Sequence, residues 1–217
     1  MASNKNQHFV PRCHLRSFSL DEAGLAINLY NIDRSRFIER AAVRRQRSGD
    51  YFYGKDPLLE KAIRTTEDAY GSALLKIFGA GYVLSESHGN LLKTFWLLQH
   101  LRTEAASRRS VEMSDEIRAD MDASGALYRL EIREAVQIAM KTFAQSMGVV
   151  SDLKGCMVRN CSDTPFVTSD DPAVLTNRWY PCSPKTKGSS FGLQASGDVL
   201  LLPLSPTVLF IAYDNGL

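Results

Sequence analysis

The chain lacks any hydrophobic run long enough to cross a membrane, and it lacks the apolar stretch near its start that a secretory leader carries. Export and membrane insertion are therefore not expected, and a cytoplasmic location with no membrane partner is the default expectation. Cysteine is scarce, with four among 217 residues, at Cys13, Cys156, Cys161 and Cys182. Only Cys156 and Cys161 lie close together. No CxxC pair or Cys/His knuckle occurs, so free thiols are expected rather than structural zinc. A dominant charge is lacking too. Lys and Arg number 26 against 24 Asp and Glu, a net +2 that by itself points to neither nucleic acid nor membrane. There is no phosphate-binding loop, no GxGxxG after a strand, no HExxH helix and no nucleophile elbow. Ser205 lies between Pro203 and Pro206 with no base implied nearby.

What is present suits one domain spanning 1–217, with a helical region over about 57–147 and a β-rich region over about 155–213. Pro11 can open a short helix through Phe18. Leu25 to Ile32 alternates as a strand does. Asp56-Pro57 is a helix start, with Asp as cap and Pro at the first helical position, and Gly79 to Gly81 stop that helix after Phe78. A second helix is expected from Ser87–Asn90 through Arg109. A third is expected over Ser114 to Met147, with a break near Met121 to Gly125. Cys156–Cys161 and Phe166–Ser169 read as the arms of a hairpin, and Val199–Leu202 and Val208–Tyr213 as further strands joined by the linker Pro203-Leu204-Ser205-Pro206. The fold class expected is α+β: a central layer of three to four helices packed on a small, mainly antiparallel sheet drawn from the N-terminal and C-terminal segments.

Polar residues on apolar helical faces mark the candidate site. At about 100° per residue, Glu60 and Glu67 fall on one edge of the stripe formed by Leu59, Ile63, Tyr70, Leu74 and Ile77. In the next helix Arg102 lies near the centre of the stripe of Leu91, Phe95, Leu98 and Ala105, with Gln99 on its flank and His100 on the far, exposed side. An arginine there needs a carboxylate partner, which makes it either a structural ion pair or an anion-binding group. The end of Phe166–Pro172 offers Asp170, preferred over Asp171, as a partner for Arg102, a metal ligand or a plain turn cap. Near the start, His8 lies beside Phe9 and Val10 and is either a core histidine or a catalyst, with His14 the weaker candidate. A separate signal is the arginine run Arg34 to Arg47. If helical, it would put Arg40, Arg44 and Arg47 on one face, and Tyr51, Phe52 and Tyr53 could add stacking surfaces. The usual alternative for such a run is a solvated surface.

Gln7-His8-Phe9-Val10-Pro11 with Leu15-Arg16-Ser17-Phe18 fits QHxVPxxxLRxF. Together with Gln99-His100-Leu101-Arg102, Thr168-Ser169-Asp170-Asp171-Pro172 and Leu202-Pro203-Leu204-Ser205-Pro206, it resembles a bacterial family known as domain of unknown function 4238. The likeness spans nearly the whole chain. Cys13 and His14 depart from the aromatic and large apolar residues more common in that family. Its members also tend to run on beyond the last motif. The resemblance implies no activity. It does mark His8, Glu67, Gln99, Arg102 and Asp170.

Three readings follow. In the first, a metal-dependent phosphodiester hydrolase of nuclease type, Glu67 and Asp170 hold Mg²⁺ or Mn²⁺, His8 is the general acid or base, Arg102 steadies phosphate charge and Gln99 orients the substrate. In the second, the chain is a non-catalytic nucleotide or nucleic-acid binding module. In the third, the same residues form a buried network that fixes the fold.

Overall fold

A computed structural model describes residues 6–46, 48–50, 57–120, 130–179 and 192–214. In chain order the elements are β1 (Asn6–His8), α1 (Arg12–Arg16), β2 (Ala26–Asn31), β3 (Arg36–Ala42), a 3-10 turn (Val43–Arg45) and β4 (Ser48–Asp50). Then come α2 (Pro57–Ile77), α3 (Glu86–Arg102), α4 (Glu104–Asp120), α5 (Ile132–Ser146) and a second 3-10 turn (Met147–Val150). The chain finishes with β5 (Lys154–Arg159), β6 (Val174–Asn177), β7 (Asp198–Ser205) and β8 (Val208–Tyr213). None of the described helices is long and apolar enough to cross a membrane.

The fold is α+β. Its main sheet is antiparallel, in the order β5-β8-β7-β6. Burial alternates along β7 and β8, so Leu200, Leu202 and Leu204 of β7 and Phe210 and Ala212 of β8 turn one face inward. That face meets α3, whose Leu92, Phe95, Trp96 and Leu97 are buried in the same cluster. The Trp96 indole donates to the Leu201 carbonyl at 3.1 Å, so the largest buried side chain also carries its polar tip into a bond. On another side of α3, Leu98 packs with Ile63 of α2 and Val136 and Met140 of α5. α3 is thus covered on more than one side, which explains why apolar residues occur at 91, 92, 95, 96, 97 and 98 rather than along a single stripe.

The N-terminal strands do not join the main sheet. β1 pairs with β4, and β2 with β3, as two separate antiparallel ribbons. A small cluster of Val10, Leu15, Ile27 and Val43 joins α1 to the β2–β3 ribbon.

Four local expectations are corrected. The second helix ends at Arg102, and a new helix starts at Glu104. Thr103 between them is extended (φ −71°, ψ 157°), and its hydroxyl accepts from the Ala106 amide at 3.1 Å. The helix start needed no Gly or Pro, only a capping threonine. Phe166–Ser169 is not a strand. β8 occupies the place beside β5 that a hairpin arm would take, although the Asn160 side chain does build a turn by bonding the Ser162 amide and the Thr164 carbonyl. The segment Pro203–Pro206 is not a linker, since β7 runs to Ser205. Finally, the arginine run is not helical. Asn31 accepts from the Arg34 amide at 2.8 Å and closes a turn that sends the chain back as β3.

Candidate functional site

α2 presents Glu67 between Ile63 and Tyr70, each buried, so its carboxylate stands at the edge of the core. α3 presents Gln99 and Arg102, three residues apart and both sealed from solvent. The Arg102 Nη1 atom lies 2.6 Å from Glu67 Oε1, with side-chain exposures of 0% and 24%. With its amide oriented to satisfy its neighbours, Gln99 accepts from Arg102 Nε at 2.9 Å and Nη2 at 2.6 Å, and donates to the Phe9 carbonyl at 3.0 Å. A single guanidinium thereby ties α2, α3 and the segment after β1 together. Nε and Nη2 each meet an acceptor on Gln99, and Nη1 lies at ion-pair distance from Glu67, which supplies the counter-charge such a buried group needs.

His14 stands beside this network. Its Nδ1 lies 2.8 Å from the Tyr70 hydroxyl and its Nε2 2.9 Å from the Thr168 hydroxyl, so one nitrogen donates and the other accepts. The ring is fully buried, and Tyr70 stacks on Phe95 with centroids 3.5 Å apart. Burial first, and the neighbouring Arg102 charge second, push His14 down to about 3. It is neutral at ordinary pH and a poor general base. Burial pushes the Cys13 thiol up to about 11, helped by the Glu67 charge, so it stays protonated and unreactive. Burial also raises the Tyr70 hydroxyl well above its ordinary value.

The loop before β6 closes the site from the other side. Thr168 holds His14. Asp171 accepts from the Thr103 hydroxyl at 2.8 Å and pairs with Arg109. Ser169 folds the loop by accepting from the Asp171 amide at 3.1 Å and donating to its carbonyl at 2.9 Å.

The structure thus brings Glu67, Gln99 and Arg102 into one network. Asp170 is half-buried in the adjoining loop, next to Asp171, which reaches the helices through Thr103 and Arg109. The backbone of His8 pairs with Ser48 in the β1–β4 ribbon, and its side chain lies outside the described residues. His14, ranked below His8 from sequence, is the histidine that links α2 to the loop. A five-residue helix is too short to display a face, so only its immediate setting in Leu15-Arg16-Ser17-Phe18 could have signalled it. His100 is not exposed on a far side. It stacks on Trp96 at 4.6 Å, and its Nδ1 lies 3.3 Å from the Ala173 carbonyl, with burial pushing its pKa down. Among the described residues, no group of three or more His, Cys, Asp and Glu side chains comes together in a way that could hold a metal ion.

The arginine run forms a second candidate surface. β2 and β3 pair Tyr30 with Phe37, which puts both rings on one face of the ribbon, 61% and 54% exposed. Two residues of β3, Glu39 and Arg40, stand opposite Asn28 alone, and Arg40 adopts φ +47° in this bulge while its amide donates to Asn28 Oδ1 at 3.2 Å. Arg44 is exposed in the 3-10 turn, and Arg47 lies outside the described residues, as do Tyr51, Phe52 and Tyr53. Arg40 and Arg44 therefore share a ribbon and its exit turn, not a helical face. Residues 26–46 hold five arginines against Asp33 and Glu39, a net +3 in a chain whose whole charge is +2.

Residues 6–217 match the model of the family described as protein of unknown function (DUF4238), and the chain belongs to that family. No curated protein and no solved structure matches it.

Proposed function

We propose that this protein is a non-catalytic module that binds a nucleotide or nucleic acid through the β2–β3 ribbon, and that the Glu67–Arg102–Gln99 network holds the fold rather than reacting. The observation that carries the reading is the concentration of charge: residues 26–46, the ribbon with its exit turn, hold more net positive charge than the entire chain, beside an exposed Tyr30–Phe37 pair. Arginines contact the phosphates of a single strand while exposed rings stack its bases, and neither needs a particular sequence. The nearest rival, with Glu67 holding a divalent cation, is weakened by Arg102. A guanidinium 2.6 Å from the carboxylate already neutralises it and repels a second cation.

The test is the salt dependence of binding to a fluorescently labelled single-stranded oligonucleotide. The logarithm of the affinity is expected to fall linearly with the logarithm of salt concentration. The double variant Arg36→Gln/Arg40→Gln is expected to reduce that slope by about 1.4, since each lost phosphate contact on a single strand removes about 0.7. Absent binding at low salt, or a slope the variant leaves unchanged, overturns the reading.

A further inference from the structure

At the base of the ribbon, between α1 and the 3-10 turn Val43–Arg45, lies a cleft of about 320 Å³. Arg12, Arg16 and Arg44 line it, with Gly24, Leu25 and Val43 among the residues that complete its wall. Arg12 and Arg16 stand one turn apart on the exposed side of α1, and Arg44 enters from the turn after β3. Among the described residues, no aspartate or glutamate lines this cleft. Arg16 and Arg44 make no ion pair with another described residue. Like charges gathered around one recess with apolar walls repel one another and focus a positive potential into it.

The cleft also has built-in order. Gly24 is buried and adopts φ +67°. A Cβ added there would come within 2.7 Å of Arg16 Cγ and 3.1 Å of Cδ. The glycine is thus required by its backbone angle and again by the stem of Arg16, which lies flat against it. The neighbouring Val43 is anchored in the cluster with Val10, Leu15 and Ile27, which fixes the opposite wall. An arginine whose stem is packed loses little freedom when its head takes a ligand.

We infer that this cleft is a phosphomonoester site, one that takes a terminal phosphate at the foot of the ribbon. The class of ligand rests on the nucleic-acid reading of the ribbon. The preference for a terminal group rests on the cleft itself. Arg16 and Arg44, neither in an ion pair with another described residue, bring two positive charges that match a dianionic monoester better than the single charge of a phosphodiester. The same group could be offered by a strand end or by a free mononucleotide.

The experiment compares one single-stranded oligonucleotide carrying a 5′-phosphate, a 3′-phosphate or hydroxyls at both ends, at fixed salt, with AMP and adenosine as competitors. A phosphorylated end is expected to tighten binding about ten-fold, the worth of one charge-assisted hydrogen bond. Arg16→Gln is expected to abolish that advantage while leaving the hydroxyl-ended strand bound as before. Gly24→Ala, which displaces the Arg16 stem, should reproduce the loss in part and guards against an effect peculiar to glutamine. Competition by AMP but not adenosine supports the site with a free nucleotide as its source. Support from strand ends alone makes the source a nucleic acid. Equal affinity for phosphate and hydroxyl ends, with AMP failing to compete, overturns the cleft and leaves the ribbon standing. Stabilisation by AMP that Arg16→Gln removes, in a protein that binds no oligonucleotide, supports the cleft and overturns the ribbon.

Discussion

Arg102 and Glu67 form one ion pair in two different surroundings. The guanidinium is sealed, while water reaches a quarter of the carboxylate side chain. Glu67→Gln leaves a buried cation without a counter-ion, whereas Arg102→Met leaves a carboxylate that can rehydrate but releases Gln99 from its partner. Each single change is expected to cost about 3 kcal/mol in urea denaturation. The double variant is expected to cost less than their sum by at least about 1 kcal/mol. Additive losses would show that the two charges do not depend on one another. These residues were legible in the sequence because a long helix makes its faces countable: Arg102 falls within an apolar stripe whichever neighbour defines it. His14 and Thr168 were not legible. One sits in a five-residue helix and the other in a loop, and neither setting has a period to violate.

At the scale of elements, the break between α3 and α4 carries the connection to the loop. Thr103 caps α4 through its hydroxyl oxygen and uses the hydroxyl proton on Asp171. Thr103→Ala removes a cap and leaves one oxygen of Asp171 without its donor, an expected loss of about 1–2 kcal/mol. Thr103→Ser keeps both bonds and should melt within a few degrees of the parent. An alanine variant as stable as the serine one would remove the cap from the account. Helix starts marked by Asp-Pro were readable, since Pro57 does begin α2. The start at Glu104 was not, because threonine is common and its capping role depends on the backbone angle it adopts. The helical alternative for the arginine run fails for a related reason. Its charges repeat at helical spacing, but Asn31 closes a turn before the run and Phe37-Ile38 pairs back across the ribbon. Charge spacing yields to turn chemistry and apolar pairing.

For the whole molecule, the α+β class followed from helices in the middle of the chain and strands at both ends. The separation of the N-terminal strands from the main sheet did not, because strand order depends on partners far away in sequence. The buried histidine makes the stability of the whole dependent on pH. The unfolded chain holds His14 at its ordinary value near 6.5, and the native fold holds it near 3, so on acidification the unfolded state binds a proton the native state refuses. Stability should be complete above pH 6.5 and fall progressively towards pH 3, by at most about 1.4 kcal/mol per pH unit from this group. His14→Gln cannot titrate, so its melting temperature should decline less steeply than the parent's over the same interval. Parallel declines would dissociate the acid sensitivity from His14.

The bond between His14 and Thr168 spans 154 residues. During synthesis at about 5–20 residues per second, the first of these side chains leaves the ribosome on the order of ten seconds or more before its partner exists. The opening motif must therefore wait, its imidazole still hydrated, until most of the polypeptide has emerged. Closure of the polar interior is a late event in the birth of this molecule, and a chain truncated before Thr168 would leave that ring without its hydroxyl partner on the loop.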